Sequence, residues 1–154
     1  MNGIEKAVKS YLDSQNWRYK YDEEDHEFSL GMSLENNDVD SCIIVVHVRD
    51  DEDMSCRAIY EFKIPEKKRA IISDYITRVN YGMFLGCFQM DLRDGEIFYK
   101  TSSVFSDGAP LNDEIRRIVQ VTIHMAEKYG DGFYDVMYKG KSPAETVQAI
   151  EADD

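Results

Sequence analysis

Long apolar runs are missing from this chain. None approaches the roughly 20 residues that would cross a bilayer, and residues 1–9 mix charge with apolar side chains where a secretory leader has an unbroken apolar stretch. Cysteine is scarce as well. Cys42, Cys56 and Cys87 are an odd number at wide spacing, a poor disulfide framework and a good set of reduced core thiols. Both absences lead us to expect a cytoplasmic protein. Positive charge is the third deficit: 18 Lys and Arg against 30 Asp and Glu give a formal net charge of −12. Such a chain repels nucleic-acid backbones and acidic lipid surfaces. Its basic clusters, Lys67-Lys68-Arg69 and Arg116-Arg117, are short and fall on predicted helices. Neither nucleic acid nor membrane is expected as a partner.

The residues of metal and covalent chemistry are equally thin on the ground. Of the three histidines, His26 falls in an acidic turn, His47 in an apolar strand and His124 on the polar arc of a helix. No two are near in sequence, and neither a zinc-protease motif nor a Cys/His zinc spacing occurs. The acidic turns at 22–25 and 50–53 lack the alternating ligands and central glycine of a calcium loop, and suit solvated turns. Gly82 and Gly86 in NYGMFLG are not followed by the lysine and helix of a phosphate loop. Their expected work is geometric, Gly82 closing a helix and Gly86 allowing a bulge or a close approach by another side chain. Cys87 with His47 is the one pair that could imitate a thiol–imidazole couple, if their strands were adjacent. Nothing in the sequence supplies an orienting third group or a positive field, so a core thiol and a strand histidine are the preferred reading. No catalytic residue, metal ligand or cofactor is expected.

What is present is core material. Hydrophobic residues make up 43% and charged residues 31%, with seven Phe, ten Tyr and one Trp, a globular composition. Residues 2–15 carry Ile4, Val8, Tyr11 and Leu12 at helical spacing. The period then becomes two: Trp17, Tyr19 and Tyr21, then Phe28, Leu30, Met32 and Leu34, suggest a hairpin with one buried face. Residues 42–48 (CIIVVHV) are apolar at both parities and predict a central strand covered on both sides. Met54, Cys56, Ala58, Tyr60 and Phe62 alternate in a further strand. Pro65 opens a second helix running to Asn80. Strands at 83–92 and 96–103 follow, joined by Asp94-Gly95, a dipeptide suited to a tight primed turn. A third helix is predicted over 111–129 with Gly130 as its C-cap, and a last one over 142–152 with Pro143 in its first turn. No repeat, linker or low-complexity tract divides residues 1–154. This order predicts a single α+β domain: an antiparallel β-sheet with N-terminal, central and C-terminal helices packed on it.

Residues 72–104, ISDYITRVNYGMFLGCFQMDLRDGEIFYKTSSV, resemble the central signature of the YbjN-domain family, bacterial sensory-transduction regulators. The likeness runs through Asn80, Gly82, Gly86, Phe88, Asp91, Asp94, Gly95, Glu96, Ile97, Tyr99 and Lys100. Ser142-Pro143 and the helix before it also fit. Residues before 65 match in layout alone. The resemblance implies a fold like that of type III secretion chaperones, a regulatory or chaperone-like role, no attributed catalytic residue, and frequent dimers.

Residue chemistry and resemblance therefore converge on a non-enzymatic module that binds an unidentified protein partner. Two alternatives are a small cytosolic enzyme with a site around Cys87, and an acidic decoy that mimics nucleic acid. Helix two spreads its apolar arc to the Ile71–Tyr75 edge, wider than a surface helix needs. Either a helix of the same chain covers that edge, or Ile71 and Tyr75 are partner contacts in a homodimer.

Overall fold

The computed structural model describes residues 1–105, 110, 112–152 and 154. Helix α1 (Gly3–Ser14) starts where Asn2 can cap it. The Asn2 side chain accepts the Glu5 N–H at 2.9 Å, and Glu5 returns the bond to the Asn2 N–H at 3.1 Å. Four strands follow: β1 (Lys20–Asp22), β2 (Glu27–Ser33), β3 (Ser41–Val48) and β4 (Asp53–Tyr60). A single 3-10 turn (Glu66–Lys68) leads into α2 (Arg69–Tyr81), then β5 (Cys87–Met90), β6 (Ile97–Val104), α3 (Asn112–Tyr138) and α4 (Pro143–Glu151). The sheet is antiparallel throughout, in the order β1-β2-β3-β4-β6-β5. The first strand thus pairs with β2 at one edge, and the β5–β6 hairpin enters backwards, with its second strand against β4.

The pleat sends alternate residues to opposite faces. Phe28, Cys42, Ile44, Val46, Cys56, Ala58 and Tyr60 all share the inner face and are buried. Helix α3 lies across that face on β4 and β6, with α1 and α2 at its flanks and α4 against α2. The outer face carries Ser29, Ile43, Arg57, Phe98 and Lys100, and Ile43 is 38% exposed. Residues 42–48 are therefore covered on one side, not two. Val45 is shielded on the open side without a helix, between its cross-strand neighbours Ser29 and Arg57.

Three further expectations need correction. Helix α3 does not stop at Gly130; it continues through Gly132 to Tyr138, and the left-handed glycine that ends it is Gly140 at φ 68°. Gly130 and Gly132 serve close packing instead. A Cβ on Gly130 would come within 2.9 Å of the Asn36 side-chain nitrogen, and one on Gly132 would overlap the Tyr75 hydroxyl. The Asp94-Gly95 connection is not a primed two-residue turn either, because Gly95 alone of the pair has positive φ, +84°. The Asp91 N–H donates to the Glu96 carbonyl at 2.9 Å and the Gly95 N–H to the Asp91 carbonyl at 2.7 Å, giving a longer loop. A side chain at Gly95 would run into the Ile64 carbonyl, so glycine is required there for space as well as for φ. Finally, β5 begins at Cys87, not at residue 83.

Helix α3 also holds the loop between β2 and β3. The Asp131 carboxylate accepts the N–H groups of Asn37, Asp38 and Val39 at 2.9–3.1 Å, and Glu127 accepts that of Glu35 at 2.7 Å. Acidic residues in mid-helix thus satisfy loop donors that would otherwise need water.

In an isolated helix, Gly132→Ala would gain about 1 kcal/mol. Here we expect the opposite sign. Tyr75 is fully buried and its ring cannot retreat from a new methyl group. Urea unfolding should show a loss of about 1–3 kcal/mol; a gain would disprove this packing.

Candidate interaction surface beside the β5–β6 hairpin

The residues of the hairpin signature have architectural tasks. Asn80, at the end of α2, lays its carboxamide along the free side of β5. Its oxygen accepts the Phe88 N–H at 2.8 Å and its nitrogen donates to the Phe88 carbonyl at 3.0 Å. The side chain imitates a neighbouring strand residue and closes that edge. Gly86 turns the chain at φ 65°, and a Cβ there would stand 2.5 Å from both the Lys100 carbonyl and the Tyr99 hydroxyl. That hydroxyl donates to the Leu85 carbonyl at 2.7 Å. Phe88 is buried among the rings of Tyr60, Tyr99, Tyr129 and Phe133. Asp91 receives side-chain and backbone hydrogen bonds from Arg93, which hold its carboxyl down at about 2. At the C-terminal end, the Ser142 side chain caps α4 through the Glu145 N–H at 3.1 Å.

Of the residues between these anchors, Met83 packs against the core, while the side chains of Tyr81, Phe84 and Leu85 are turned out. Tyr81 is 96% exposed, Phe84 98% and Leu85 51%, in a segment pinned at one end by Asn80 and at the other by Gly86. Next to them, Val104 at the end of β6 is 78% exposed. Because the chain leaves the sheet at Gly86, β5 pairs with residues 97–100 of β6, and residues 101–104 have no strand partner on that side among the described residues. A groove of about 410 Å³ opens there, between β6 and the first turns of α3. It is lined by Leu85, Val104, Phe105, Ile118 and Val121, with Arg117 and Glu114 also at its wall.

Elsewhere the structure spends the residues that sequence reasoning singled out. Tyr75 is fully buried, its hydroxyl donating to the Tyr129 carbonyl at 2.8 Å and its ring against Phe133. Helices α3 and α4 of the same chain pack against α2. Ile71 remains 38% exposed. Cys87 and His47 are not in contact: β4 and β6 lie between their strands, about 14 Å of sheet. Cys87 is part-exposed, with Gln89 at 3.4 Å from its sulfur, whereas burial pushes the Cys42 and Cys56 thiols up to about 12. His124 is exposed.

His26 stands 3.3 Å from Glu5, a buried carboxylate that also holds the Tyr21 hydroxyl. Burial opposes the charge on Glu5, but the hydrogen bonds from Tyr21, Asn2 and His26 outweigh it and keep its carboxyl below the ordinary range. This cluster fastens α1 to the β1–β2 hairpin. Among the described residues, no group of three or more His, Cys, Asp or Glu is placed to hold a metal ion, and no helix is long and apolar enough to cross a membrane.

If Asn80 is an edge cap, Asn80→Ala should leave two backbone groups of Phe88 without protein partners. We expect a loss of about 1–2 kcal/mol and faster hydrogen exchange at the Phe88 amide, with β6 unaffected. Unchanged exchange at Phe88 would refute the capping role.

Neither a curated protein nor a solved structure matches the chain. A family model does: residues 6–135 match YbjN, described as "Putative bacterial sensory transduction regulator". That span takes in the whole signature hairpin and most of α1 and α3. The chain belongs to the YbjN family.

Proposed function

We propose that this protein is a non-enzymatic regulatory module of a bacterial cytoplasm, and that it acts by holding a polypeptide partner against Tyr81, Phe84, Leu85 and the adjoining groove. The observation that carries the reading is the near-complete exposure of two aromatic side chains, Tyr81 at the end of α2 and Phe84 in the short loop that follows it. A buried Phe contributes roughly 1.5–3 kcal/mol relative to an exposed one, so an association that covers this loop recovers energy that folding leaves unused. The loop is also held in place at both ends, by the Asn80 carboxamide and by the packing of Gly86 on Tyr99. Side chains presented on a fixed frame lose little freedom when they dock. The family description as a regulator is consistent with a task carried out by binding.

The test is a comparison of baits in extract of the native cell. We expect the unmodified protein to enrich a small set of polypeptides at least about tenfold over Tyr81→Ser/Phe84→Ser, a loss typical of removing central aromatic anchors. Ile71→Glu, on the half-exposed edge of α2, should retain them. Equal recovery by the loop variant would disprove the proposal, and loss with Ile71→Glu alone would move the contact to α2.

A further inference from the structure

The groove beside β6 has a polar wall with a defined hydrogen-bonding sense. Asn80 bonds the Phe88 backbone from outside, so Phe88 points its N–H and C=O away from β6. In an antiparallel pair the bonded positions alternate. Cys87 opposite Lys100, and Gln89 opposite Phe98, are then the pairs whose backbone groups meet. The same parity directs the N–H and C=O of Ser102 and Val104 to the side that β5 has vacated. On the opposite side, the Phe105 N–H donates to the Glu52 carbonyl at 2.6 Å, as the alternation requires. Residues 101–104 thus offer an open strand edge, about 13 Å long, above a floor formed by Leu85, Phe105, Ile118 and Val121.

We infer that this edge accepts an extended segment of the partner as an added strand, in the position β5 would occupy if it ran on. The inference rests on the docking surface proposed above and names what docks there. Strand addition takes its affinity from main-chain hydrogen bonds and its specificity from alternate side chains. Here every second side chain of the added strand would face α3 and meet Ile118 and Val121. Those positions call for aliphatic residues, and Leu85 lines the end of the groove nearest Gly86. The intervening side chains face outward beside Ser102 and Val104, where Arg49, Lys100 and Asp53 supply charges of both signs, and polar residues such as threonine suit them. The net charge of −12 on each copy disfavours a second copy of this chain as the occupant.

The other incompletely paired strand fits less well. Strand β1 covers residues 27–29 of β2 and leaves 30–33 beyond it, but Arg18, Lys20 and Glu61 border that side. Charged side chains beside an edge discourage pairing. The β6 edge has Arg117 and Glu114 at its wall as well, but with Leu85, Val104, Phe105, Ile118 and Val121 beside them.

A synthetic peptide of about eight residues, alternating valine with lysine or threonine, is a direct probe. We expect fluorescence anisotropy to give saturable binding with a Kd of roughly 10–100 µM. The same peptide N-methylated at the amides that would face β6 should bind at least about tenfold more weakly. Ser102→Pro should weaken the parent peptide similarly, since it removes a donor on the open side and spares the ladder to β4. The N-methylated peptide provides the test even if Ser102→Pro fails to fold. Equal binding of parent and N-methylated peptides would overturn strand addition. If Phe84→Ser then abolished both, the apolar docking surface would survive without it. No saturable binding up to about 1 mM would also overturn the inference. So would self-association in sedimentation that Ser102→Pro abolishes, because a second copy would then occupy the edge.

Discussion

Four rings converge on Phe133 from different parts of the chain. Tyr75 of α2 lies 4.9 Å away between ring centroids, Tyr60 of β4 5.3 Å, Phe88 of β5 5.6 Å, and Phe62, just after β4, 6.1 Å. Two of these rings carry hydroxyls that must find acceptors once buried. Both find them on α3: Tyr60 donates to the Ala126 carbonyl at 2.6 Å and Tyr75 to the Tyr129 carbonyl at 2.8 Å. Burial pushes both phenols well above their ordinary range, so they remain neutral donors. The arrangement demands that α3 come close to Tyr75, which is possible because residue 132 has no side chain. That approach sets α2 against α3, with Asn80 near the end of α2 alongside β5.

Much of this architecture could be read from periodicity. Ile4, Val8, Tyr11 and Leu12 placed α1, and the alternation from Met54 to Tyr60 placed β4, because each element has one buried face and therefore one clear period. Two of the misreadings have a common origin in glycine. Gly130 looked like a cap because a glycine after an apolar stretch usually is one; local sequence does not reveal that Asn36 and Val39 pack against it from across the molecule. Gly95 does take positive φ, but the loop around it is set by the Ile64 backbone, distant in sequence. Helix α2 showed an apolar arc too wide for a surface helix; sequence alone could not say that α4 would pack against it.

The surface beside β6 was the least legible part. Met83, Phe84 and Leu85 read as the start of a strand because three adjacent apolar residues carry no period to contradict it. The signal available was the pair of glycines enclosing them, at 82 and 86. The signature residues of the family turn out to make the frame, through edge capping at Asn80, close packing at Gly86 and a left-handed turn at Gly95. The side chains that the frame displays, Tyr81, Phe84 and Leu85, lie between them without a structural task of their own. The frame holds the shape, and what it leaves exposed is the surface on which the proposed recognition rests.

The central claim is that the loop is displayed by the fold and not required by it. Equilibrium unfolding of Tyr81→Ser/Phe84→Ser in urea tests this most directly, independent of any partner. The account predicts a stability within about 0.5 kcal/mol of the unmodified protein, as expected where side chains touch nothing. A loss of about 2 kcal/mol or more, the range of a truncated core side chain, would show that Tyr81 and Phe84 belong to the core, and would contradict it.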